Sequence, residues 1–281
     1  MKNLESIRLQ NVEESSTLAM AALAREYKSK GVDVISLSLG EPDFKTPDHI
    51  CEGAKRSIDS GNFFSYPPVP GYLDLREAIA EKFKNENNLN YSPNEIIVSN
   101  GVKHSITNVM FSILNPGDEV IVFAPFWVSY SAIITLADGI PKYINTTIKN
   151  DFKPTSEQLK NAISKKTKAI IFSSPCNPTG TVFTKNDLES YRNILIDHPE
   201  IIIISDEIYE HINFTDEHIS IGSLESMNNR TITFNGVSKA FAMTGWRLGY
   251  IGAPLEIAKS INKMQGQTTS ANCSIAQRAG L

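Results

Sequence analysis

The sequence has little cysteine, no long apolar segment and no excess of charge of either sign, and each absence excludes a class of protein. The three cysteines, Cys51, Cys176 and Cys273, are odd in number and lack metal-ligand spacing, which is typical of the reducing cytoplasm. The longest apolar runs, such as residues 201–204, have the length of a strand and are too short to cross a bilayer. The net charge of −4 favours neither nucleic acid nor an anionic membrane surface as a partner.

Other absences narrow the class further. The five histidines are scattered and form no ligand pattern, so the sequence predicts no metal site. The N-terminal stretch MKNLESIRLQNVEESS carries charges throughout and lacks the apolar core of a signal peptide. No repeat or low-complexity linker interrupts the 281 residues, which suffice for one large or two modest domains. These features are those of an ordinary globular protein of the cytoplasm.

From about residue 95 onward, short apolar runs alternate with amphipathic segments. Residues 106–114 carry apolar side chains at helical spacing, and two later helices begin with capping boxes, Thr155 with Gln158 and Thr184 with Asp187. This alternation predicts an α/β fold with a mostly parallel sheet and helices on both faces, and a ligand site at the carboxyl ends of the strands. The predicted strands are residues 96–98, 120–123, 169–172, 201–205, 231–234 and 248–251.

The two ends of the chain have different patterns. Residues 17–27 and 72–83 have the helical period, and SLSLGEPDF (36–44) predicts a short strand that runs into a Pro/Gly turn. We predict that residues 1–45 are the N-terminal segment of a small domain and that residues 46–281 form a large domain. Near the other end, residues 257–264 are predicted to be helical. A last predicted helix, residues 274–281, stops without a cap or polar tail, which indicates a chain shorter than its natural domain plan.

The segment NGVSKAFAMTGWRLGY, residues 235–250, carries the strongest chemical signal. It places Lys239 directly after Ser238 and eight residues before Arg247. A lysine amine forms a Schiff base with an aldehyde, and the serine and arginine beside it suit the oxygens of a phosphate. Pyridoxal 5'-phosphate has both groups, so these residues predict a site for that cofactor. A single lysine is otherwise more often a solvated surface charge.

Three further segments place polar or aromatic groups after predicted strands. In IIVSNGVK, the backbone N–H groups of Gly101, Val102 and Lys103 begin a helix and can cradle a phosphate, although such a junction is usually only a turn. Trp127, in APFWVSY, can stack on a flat ring or simply pack in the core. Asn177, held between two prolines in SSPCNPTG, can donate to a phenolic oxygen or belong to a plain loop.

Asp206 ends the most apolar of these strands, in IIIISDEIYEHI. A buried carboxylate is costly without a positive partner, and a protonated pyridine nitrogen is such a partner; the alternative is an ordinary helix N-cap. Tyr209, three residues later, lies within reach of the ring's phenolic oxygen. Tyr66, in the proline-rich FSYPPVPGY, offers another hydroxyl or packs as an ordinary loop tyrosine.

Together these segments resemble the class I aminotransferases, which are fold-type I pyridoxal-phosphate enzymes. GEPDF, the Tyr-Pro-x-x-x-Gly-Tyr loop, NGVK, APFWVSY, SSPCNPTG, SDEIYEHI and NGVSKAFAMTGWRLGY occur in the order and spacing of that family, from about residue 18 to the last. The chain is most similar to the bacterial aspartate aminotransferase branch. The resemblance implies a three-layer α/β/α large domain, pyridoxal 5'-phosphate as cofactor, and a cytoplasmic homodimer with shared active sites.

The resemblance also implies a role for each matching residue. Lys239 would hold the cofactor aldehyde as a Schiff base and, once freed, move the proton between Cα and the cofactor, while Asp206 would hold the pyridinium proton. The other implied cofactor contacts are Tyr209 and Asn177 at the phenolic oxygen, Trp127 on the ring, Gly101, Val102, Lys103, Ser238 and Arg247 around the phosphate, and Tyr66 at the phosphate of the neighbouring subunit. The implied substrate contacts are Trp127, Asn177, the backbone of Gly40 at the carboxylate, Lys103 with Thr17 at an acidic side chain, and the loop 267–274 of the other subunit.

Two departures from the family pattern change these expectations. The family continues for roughly a hundred more residues, a domain-sized piece that completes the small domain and carries the arginine that clamps the substrate α-carboxylate. We therefore expect this chain as given to bind the cofactor poorly or to catalyse weakly. Members that use prephenate have a lysine in an N-terminal Lys-Pro-Ser segment, where this chain has Glu13, Glu14, Ser15 and Ser16, so we expect no prephenate activity.

The leading hypothesis is ping-pong transamination, in which L-aspartate gives its amino group to the cofactor and 2-oxoglutarate takes it, yielding oxaloacetate and L-glutamate. Two alternatives stay open on the sequence alone. One is another reaction on the same scaffold, such as a β-lyase or a different amino donor. The other is an inactive fragment that binds the cofactor and dimerises.

Overall fold

The computed structural model describes residues 4–37, 40–215 and 217–281, and a seven-stranded sheet forms its centre. The spatial order of the strands is β1-β7-β6-β5-β4-β2-β3. The pairs β2–β3, β2–β4, β4–β5 and β5–β6 are parallel, whereas β7 is antiparallel to both β1 and β6. The predicted, mostly parallel sheet is therefore confirmed. The strands are β1 (Ile96–Ser99), β2 (Glu119–Ala124), β3 (Ile140–Asn145), β4 (Thr167–Ser173), β5 (Ile202–Asp206), β6 (Thr231–Gly236) and β7 (Gly249–Gly252).

The helices found in the described residues include all those predicted. Both capping boxes are confirmed, because Thr155 accepts from the backbone N–H of Gln158 and Thr184 from that of Asp187. The helices are α1 (Ile7–Gln10), α2 (Ser16–Ser29), α3 (Asp48–Asp59), α4 (Leu73–Asn87), α5 (Val102–Ile113), α6 (Ser129–Leu136), α7 (Ser156–Ala162), α8 (Lys185–Leu195), α9 (Leu255–Thr268) and α10 (Ser274–Gly280). In the described part of the chain, no helix is both long and apolar enough to cross a membrane.

Alternate side chains of the central strands pack on opposite faces of the sheet. Val120 and Val122 of β2 lie in a cluster with α5, α6 and α9. Ile121 and Phe123, between and after them, lie in a second cluster with α7 and α8. Burial of each such side chain contributes about 1.5–3 kcal/mol, so both faces hold the sheet firmly.

Two parts of the fold differ from the sequence prediction. β3 was missed because only Ile144 of its residues is buried, so this edge strand lacks the apolar run that marks the others. The short strand predicted at the start of SLSLGEPDF is wrong for residues 36 and 37, which are not in a strand, and residues 38 and 39 lie outside the described residues. Residues 40–44, where the strand was expected to run into a turn, are not in a strand either. All seven strands of the described chain belong to one sheet, and none pairs with this stretch.

The strand directions bring many loops to one edge of the sheet. β1 and β6 are both antiparallel to β7, so β1 runs in the same direction as the parallel strands. The carboxyl ends of six strands therefore lie at one edge, and β7, which runs the other way, begins there. Residues that follow β1, β2, β4, β5 and β6 meet the residues that precede β7, and this places Arg247 among them.

The N-terminal segment is lightly packed against the rest. In α2 only Ala21 is buried, while Leu18, Met20 and Leu23 are exposed. Arg8 of α1 forms an ion pair with Asp138 at 2.5 Å. The boundary at residue 45 between two domains stays a prediction.

Candidate active site

A cavity of about 300 Å³ lies at the edge where the six strands end, within the size range of small-molecule sites. The predicted residues that line it are Thr17, Gly40, Val102, Lys103, Trp127, Asn177, Asp206, Tyr209, Ser238, Lys239 and Arg247. Five lining residues were not assigned from the sequence: Glu41, Tyr130, Ser173, Ile208 and Thr244. Of these, Tyr130 had a usable signal, since it lies in APFWVSY one helical turn after Trp127.

Lys239 follows β6 and points into this cavity. Its Nζ donates to the carbonyl oxygen of Gly40 at 2.5 Å and lies 5.6 Å from the centroid of the Tyr209 ring. Burial lowers the pKa of Lys239, and the nearby charge of Arg247 lowers it further. A lower pKa increases the neutral fraction of the amine, which is the form that attacks an aldehyde or takes a proton.

Asp206, the last residue of β5, is buried with 3% of its surface exposed. Its Oδ2 accepts from the Tyr130 hydroxyl at 2.6 Å, and its Oδ1 accepts from the backbone N–H of Ile208 at 3.3 Å. Burial raises the pKa of Asp206 from 3.8 to about 6, although both hydrogen bonds act to lower it. A turn follows β5, so the alternative of a helix N-cap is wrong. A positive group beside this carboxylate would favour its ionised form.

The aromatic side chains line the walls of the cavity. Burial raises the pKa of Tyr209, although the nearby Asn177 side chain acts to lower it, so the phenol stays protonated and can donate. Trp127 meets Tyr130 edge to face at 5.5 Å and carries the Nζ of Lys103 5.0 Å from its ring centroid. Burial lowers the pKa of Lys103, and Arg247 lowers it further.

The anion-binding end of the cavity combines a helix start with a guanidinium. α5 begins at Val102, directly after Gly101, which has φ +80°. A Cβ on Gly101 would lie 2.4 Å from Nη2 of Arg247, so only glycine lets the guanidinium come this close. Arg247 is held through Nη1 to the carbonyl of Thr244 at 2.8 Å. Together with the buried Ser238, this end suits a phosphate dianion.

The residues present therefore fit pyridoxal phosphate. They offer an amine of lowered pKa, a buried carboxylate, a phenol, an amide, and an anion cradle in which a Cβ at Gly101 would displace the guanidinium of Arg247. Three positive side chains, Lys103, Lys239 and Arg247, line the cavity with two acidic ones, Glu41 and Asp206. This balance favours anionic ligands.

Tyr66 and the loop 267–274 were predicted to act across a subunit interface. Tyr66 lies outside the cavity and is 96% exposed. In the loop, Asn272 is buried against its own chain, where it bonds Ser99, Asn100 and Arg247. What either segment contributes to a partner stays a prediction.

A second polar cluster lies outside the cavity. Glu207, Glu210 and His218 present ligand atoms within 4.8 Å of one another, an arrangement that the scattered sequence positions did not predict. Lys82 already supplies a cation here, because its ammonium bonds Glu210. Asn87 donates to Glu210 at 2.6 Å and completes the network.

Known proteins are similar to this chain in both sequence and fold. Residues 32–281 match the family described as aminotransferase class I and II. The aspartate/prephenate aminotransferase of Cereibacter sphaeroides is 46% identical, over 97% of this chain and 68% of the relative. The aspartate aminotransferase of Bacillus sp. YM-2 is 45% identical, over 100% of this chain and 72% of the relative. The structure of the aspartate aminotransferase from Thermus thermophilus with maleate is 43% identical with a TM-score of 0.95, over 99% of this chain and 72% of that one.

Proposed function

Because the chain belongs to the class I and II aminotransferases, we propose that it transfers the amino group of L-aspartate to 2-oxoglutarate, giving oxaloacetate and L-glutamate. The observation that carries this proposal is the convergence of Lys239, Asp206 and Arg247 on one cavity. Aspartate as the donor is supported by relatives that are named aspartate aminotransferases, at 44–46% identity. The cofactor of the family is pyridoxal 5'-phosphate.

When bound, the cofactor supplies an aldehyde that takes up the amino group and a ring that accepts the electron pair left at Cα. Asp206 would accept a hydrogen bond from the ring N–H, and the Tyr130 hydroxyl orients the carboxylate for this. Tyr209 and Asn177, which both line the cavity, would donate to the phenolic oxygen. Trp127 would cover the face of the ring.

Lys239 does the proton transfer. Its lowered pKa makes the amine a competent base, and its position beside the Gly40 carbonyl holds it at the end of the cavity where the substrate carboxylate would bind the Gly40 backbone. Gly101, Val102, Lys103, Ser238 and Arg247 surround the phosphate. Contacts at the phosphate and at the ring nitrogen would fix the position of the cofactor, so that only the bonds at its reacting carbon change.

An acidic donor is supported by the positions of Lys103 and Thr17, which line the same cavity. The ammonium of Lys103 lies 5.0 Å from the centroid of the Trp127 ring, and there it would meet the side-chain carboxylate of aspartate. Thr17 belongs to α2, and with it we assign residues 1–45 to the small domain and residues 46–281 to the large domain.

We further propose a cytoplasmic homodimer. The exposed hydroxyl of Tyr66 is available to reach the phosphate of a partner subunit, and Phe64 beside it is 70% exposed. The three cysteines are free, as expected in a reducing compartment. Analytical ultracentrifugation tests whether the chain is a dimer, and cofactor titration of the wild type and Tyr66→Phe tests the role of the hydroxyl. A monomer whose cofactor affinity is the same in both proteins would contradict this arrangement.

The direct test of the proposed function is the absorbance of the purified chain with pyridoxal phosphate, before and after L-aspartate is added. A visible band that Lys239→Ala abolishes, and that aspartate shifts, supports the site and the donor. Lys263→Ala, at an exposed lysine, is the control and keeps the band. A band that persists in Lys239→Ala, or that cysteine-type or aromatic donors shift while aspartate does not, would overturn the assignment.

A further inference from the structure

Asn272 lies in the turn between α9 and α10 and is almost fully buried, with 1% of its surface exposed. The two N–H groups of its Nδ2 are shared among three acceptor oxygens: the carbonyl of Ser99 at 3.1 Å, Oδ1 of Asn100 at 2.8 Å and the carbonyl of Arg247 at 2.7 Å. One amide thus joins the end of β1 to the residues that lead into β7.

These two joined segments carry the anion-binding end of the cavity. Gly101 follows directly after Asn100, and both Gly101 and Arg247 have positive φ, +80° and +56°. Arg247 is not a glycine, so its left-handed backbone is costly and needs fixed partners. Its guanidinium also bonds the carbonyl of Asn100 at 3.3 Å. The separation of Gly101 from Arg247 therefore depends on what holds the two backbones together.

The backbone of Asn272 is itself held by the side chain of Gln277. Its backbone carbonyl accepts from Nε2 of Gln277 at 2.9 Å, and Oε1 of Gln277 accepts from the backbone N–H of Tyr72 at 2.9 Å. On the other side of Ser99, Oε1 of the fully buried Gln265 accepts from the Ser99 hydroxyl at 2.6 Å. Oδ1 of Asn272 is buried and has no hydrogen-bond partner among the described residues, so only the Nδ2 side of this amide is paired. A flipped amide would place Oδ1 against three acceptor oxygens, which opposes rotation of the side chain.

We propose that Asn272 is a positioning residue for the phosphate of the cofactor, acting within its own chain by locking the turn at Gly101 to the backbone of Arg247. This inference rests on the proposed function, since it takes the anion to be the phosphate of pyridoxal phosphate. The loop 267–274 was otherwise expected to serve only the neighbouring subunit.

The proposed role of Asn272 concerns binding of the phosphate and not binding of the rest of the cofactor. The groups assigned to the aldehyde, the ring nitrogen and the phenolic oxygen lie at or after the ends of β4, β5 and β6, and none of them is among the hydrogen-bond partners of the Asn272 side chain in the described residues. Loss of the Asn272 amide should therefore weaken binding of a ligand that carries the phosphate and spare one that lacks it.

The test compares pyridoxal phosphate with pyridoxal, which has the aldehyde and ring but no phosphate. Asn272→Leu, which keeps the volume, and Asn272→Ala are titrated with each compound. We expect the ratio of the two affinities to fall about tenfold in both variants, as for loss of a buried hydrogen-bond donor. Asn87→Ala is the control: Asn87 is also buried, with 5% of its surface exposed, and donates to Glu210 at 2.6 Å in the separate polar cluster, so its loss lowers stability without changing the ratio.

A second readout needs no covalent chemistry. Binding of inorganic phosphate to the cofactor-free protein, measured by isothermal titration calorimetry, should weaken by the same factor in the Asn272 variants and not in Asn87→Ala. Equal losses for pyridoxal and pyridoxal phosphate, or unchanged phosphate binding, would overturn the positioning role. A wild-type chain whose Lys239 reacts with neither aldehyde overturns the proposed function instead, and the phosphate titration still decides the role of Asn272.

Discussion

The Tyr130 hydroxyl donates a hydrogen bond of 2.6 Å to Oδ2 of Asp206, and both side chains are buried at the edge where the strands end. This hydrogen bond stabilises the ionised form of Asp206 and fixes the orientation of its carboxylate. Burial acts in the opposite direction and raises the pKa of Asp206 to about 6. Tyr130 therefore tunes how strongly Asp206 holds a proton-bearing ring nitrogen.

Replacement of Tyr130 by phenylalanine should weaken cofactor binding. The lost bond raises the pKa of Asp206, so a smaller share of the carboxyl is ionised, and we expect the affinity for pyridoxal phosphate to fall about tenfold at neutral pH. In the wild type the affinity should decline as pH falls below about 6, and Tyr130→Phe should move this decline to higher pH. Titration by absorbance across pH measures both effects.

Tyr191→Phe is the control for this prediction. Tyr191 is equally buried, and its hydroxyl donates to the carbonyl of Pro154 at 2.7 Å in a different cluster. It should lose stability but retain cofactor affinity. An equal loss of affinity in both variants would show that Tyr130 acts only through packing.

Gly101→Ala should abolish tight cofactor binding. The added Cβ would meet Nη2 of Arg247 at 2.4 Å and must push the guanidinium away from the anion end. Gly117→Ala separates this clash from backbone strain, because Gly117 has a similar φ of +89° and nothing within 4 Å of the added Cβ. We expect both variants to lose about 1–2 kcal/mol of stability and only Gly101→Ala to lose the cofactor. Retained affinity in Gly101→Ala would argue against a glycine-dependent cradle.

Glu210 should make the protein sensitive to acid. Its ion pair with Lys82 and its bond from Asn87 outweigh burial and depress the pKa of Glu210 below 4.5. A depressed pKa in the folded state means that the stabilisation is present above pH 4.5 and is lost as pH falls from 4.5 through the folded-state value. Glu210→Gln should lose about 3 kcal/mol at neutral pH and should flatten this part of the stability curve.

Chemical denaturation between about pH 3 and about pH 7 measures how the free energy of unfolding depends on pH, and so measures the contribution of Glu210. Glu52→Gln removes an exposed pair with Lys55 and should leave the curve unchanged. If both variants show the wild-type slope, the buried pair does not set the acid limit.

Lys103→Met should change which amino donor is preferred. The variant keeps most of the unbranched side chain but removes the charge that would face an acidic donor, so kcat/KM for aspartate should fall by about thirtyfold relative to that for a neutral amino acid. Stopped-flow measurement of the half-reaction with each donor gives the ratio. Lys263→Met, at an exposed lysine, should leave it unchanged, and an unchanged ratio in Lys103→Met would place the acidic side chain elsewhere.

Prephenate should not serve as an amino acceptor at a rate comparable with 2-oxoglutarate. The chain has Glu13 and Glu14 where the prephenate-using pattern has a basic residue, so the positive charge that this pattern offers to prephenate is missing. The similarity to relatives named aspartate/prephenate aminotransferases does not decide this point, because relatives named for aspartate alone are equally similar. Comparable rates with the two acceptors, measured after the aspartate half-reaction, would refute the prediction.

The amino-acid sequence by itself determined the α/β class, six of the seven strands and most of the cavity lining. It did so because buried parallel strands are short apolar runs, and because the residues directly after them, such as Asp206 and Lys239, share one edge whatever the details of the loops. Thr155 and Thr184 were recognisable as helix caps for a similar reason, since a capping box is formed within one turn of chain.

Only the tertiary structure decided the relationships between distant residues. The exposed edge strand β3 leaves no apolar pattern to read. The reversed direction of β7, which brings Arg247 against Gly101, is a property of the assembled sheet. The bonds from Tyr130 to Asp206 and from Asn272 to Ser99 join residues 76 and 173 positions apart, and polar groups of ordinary type acquire these partners only when burial removes water as the alternative.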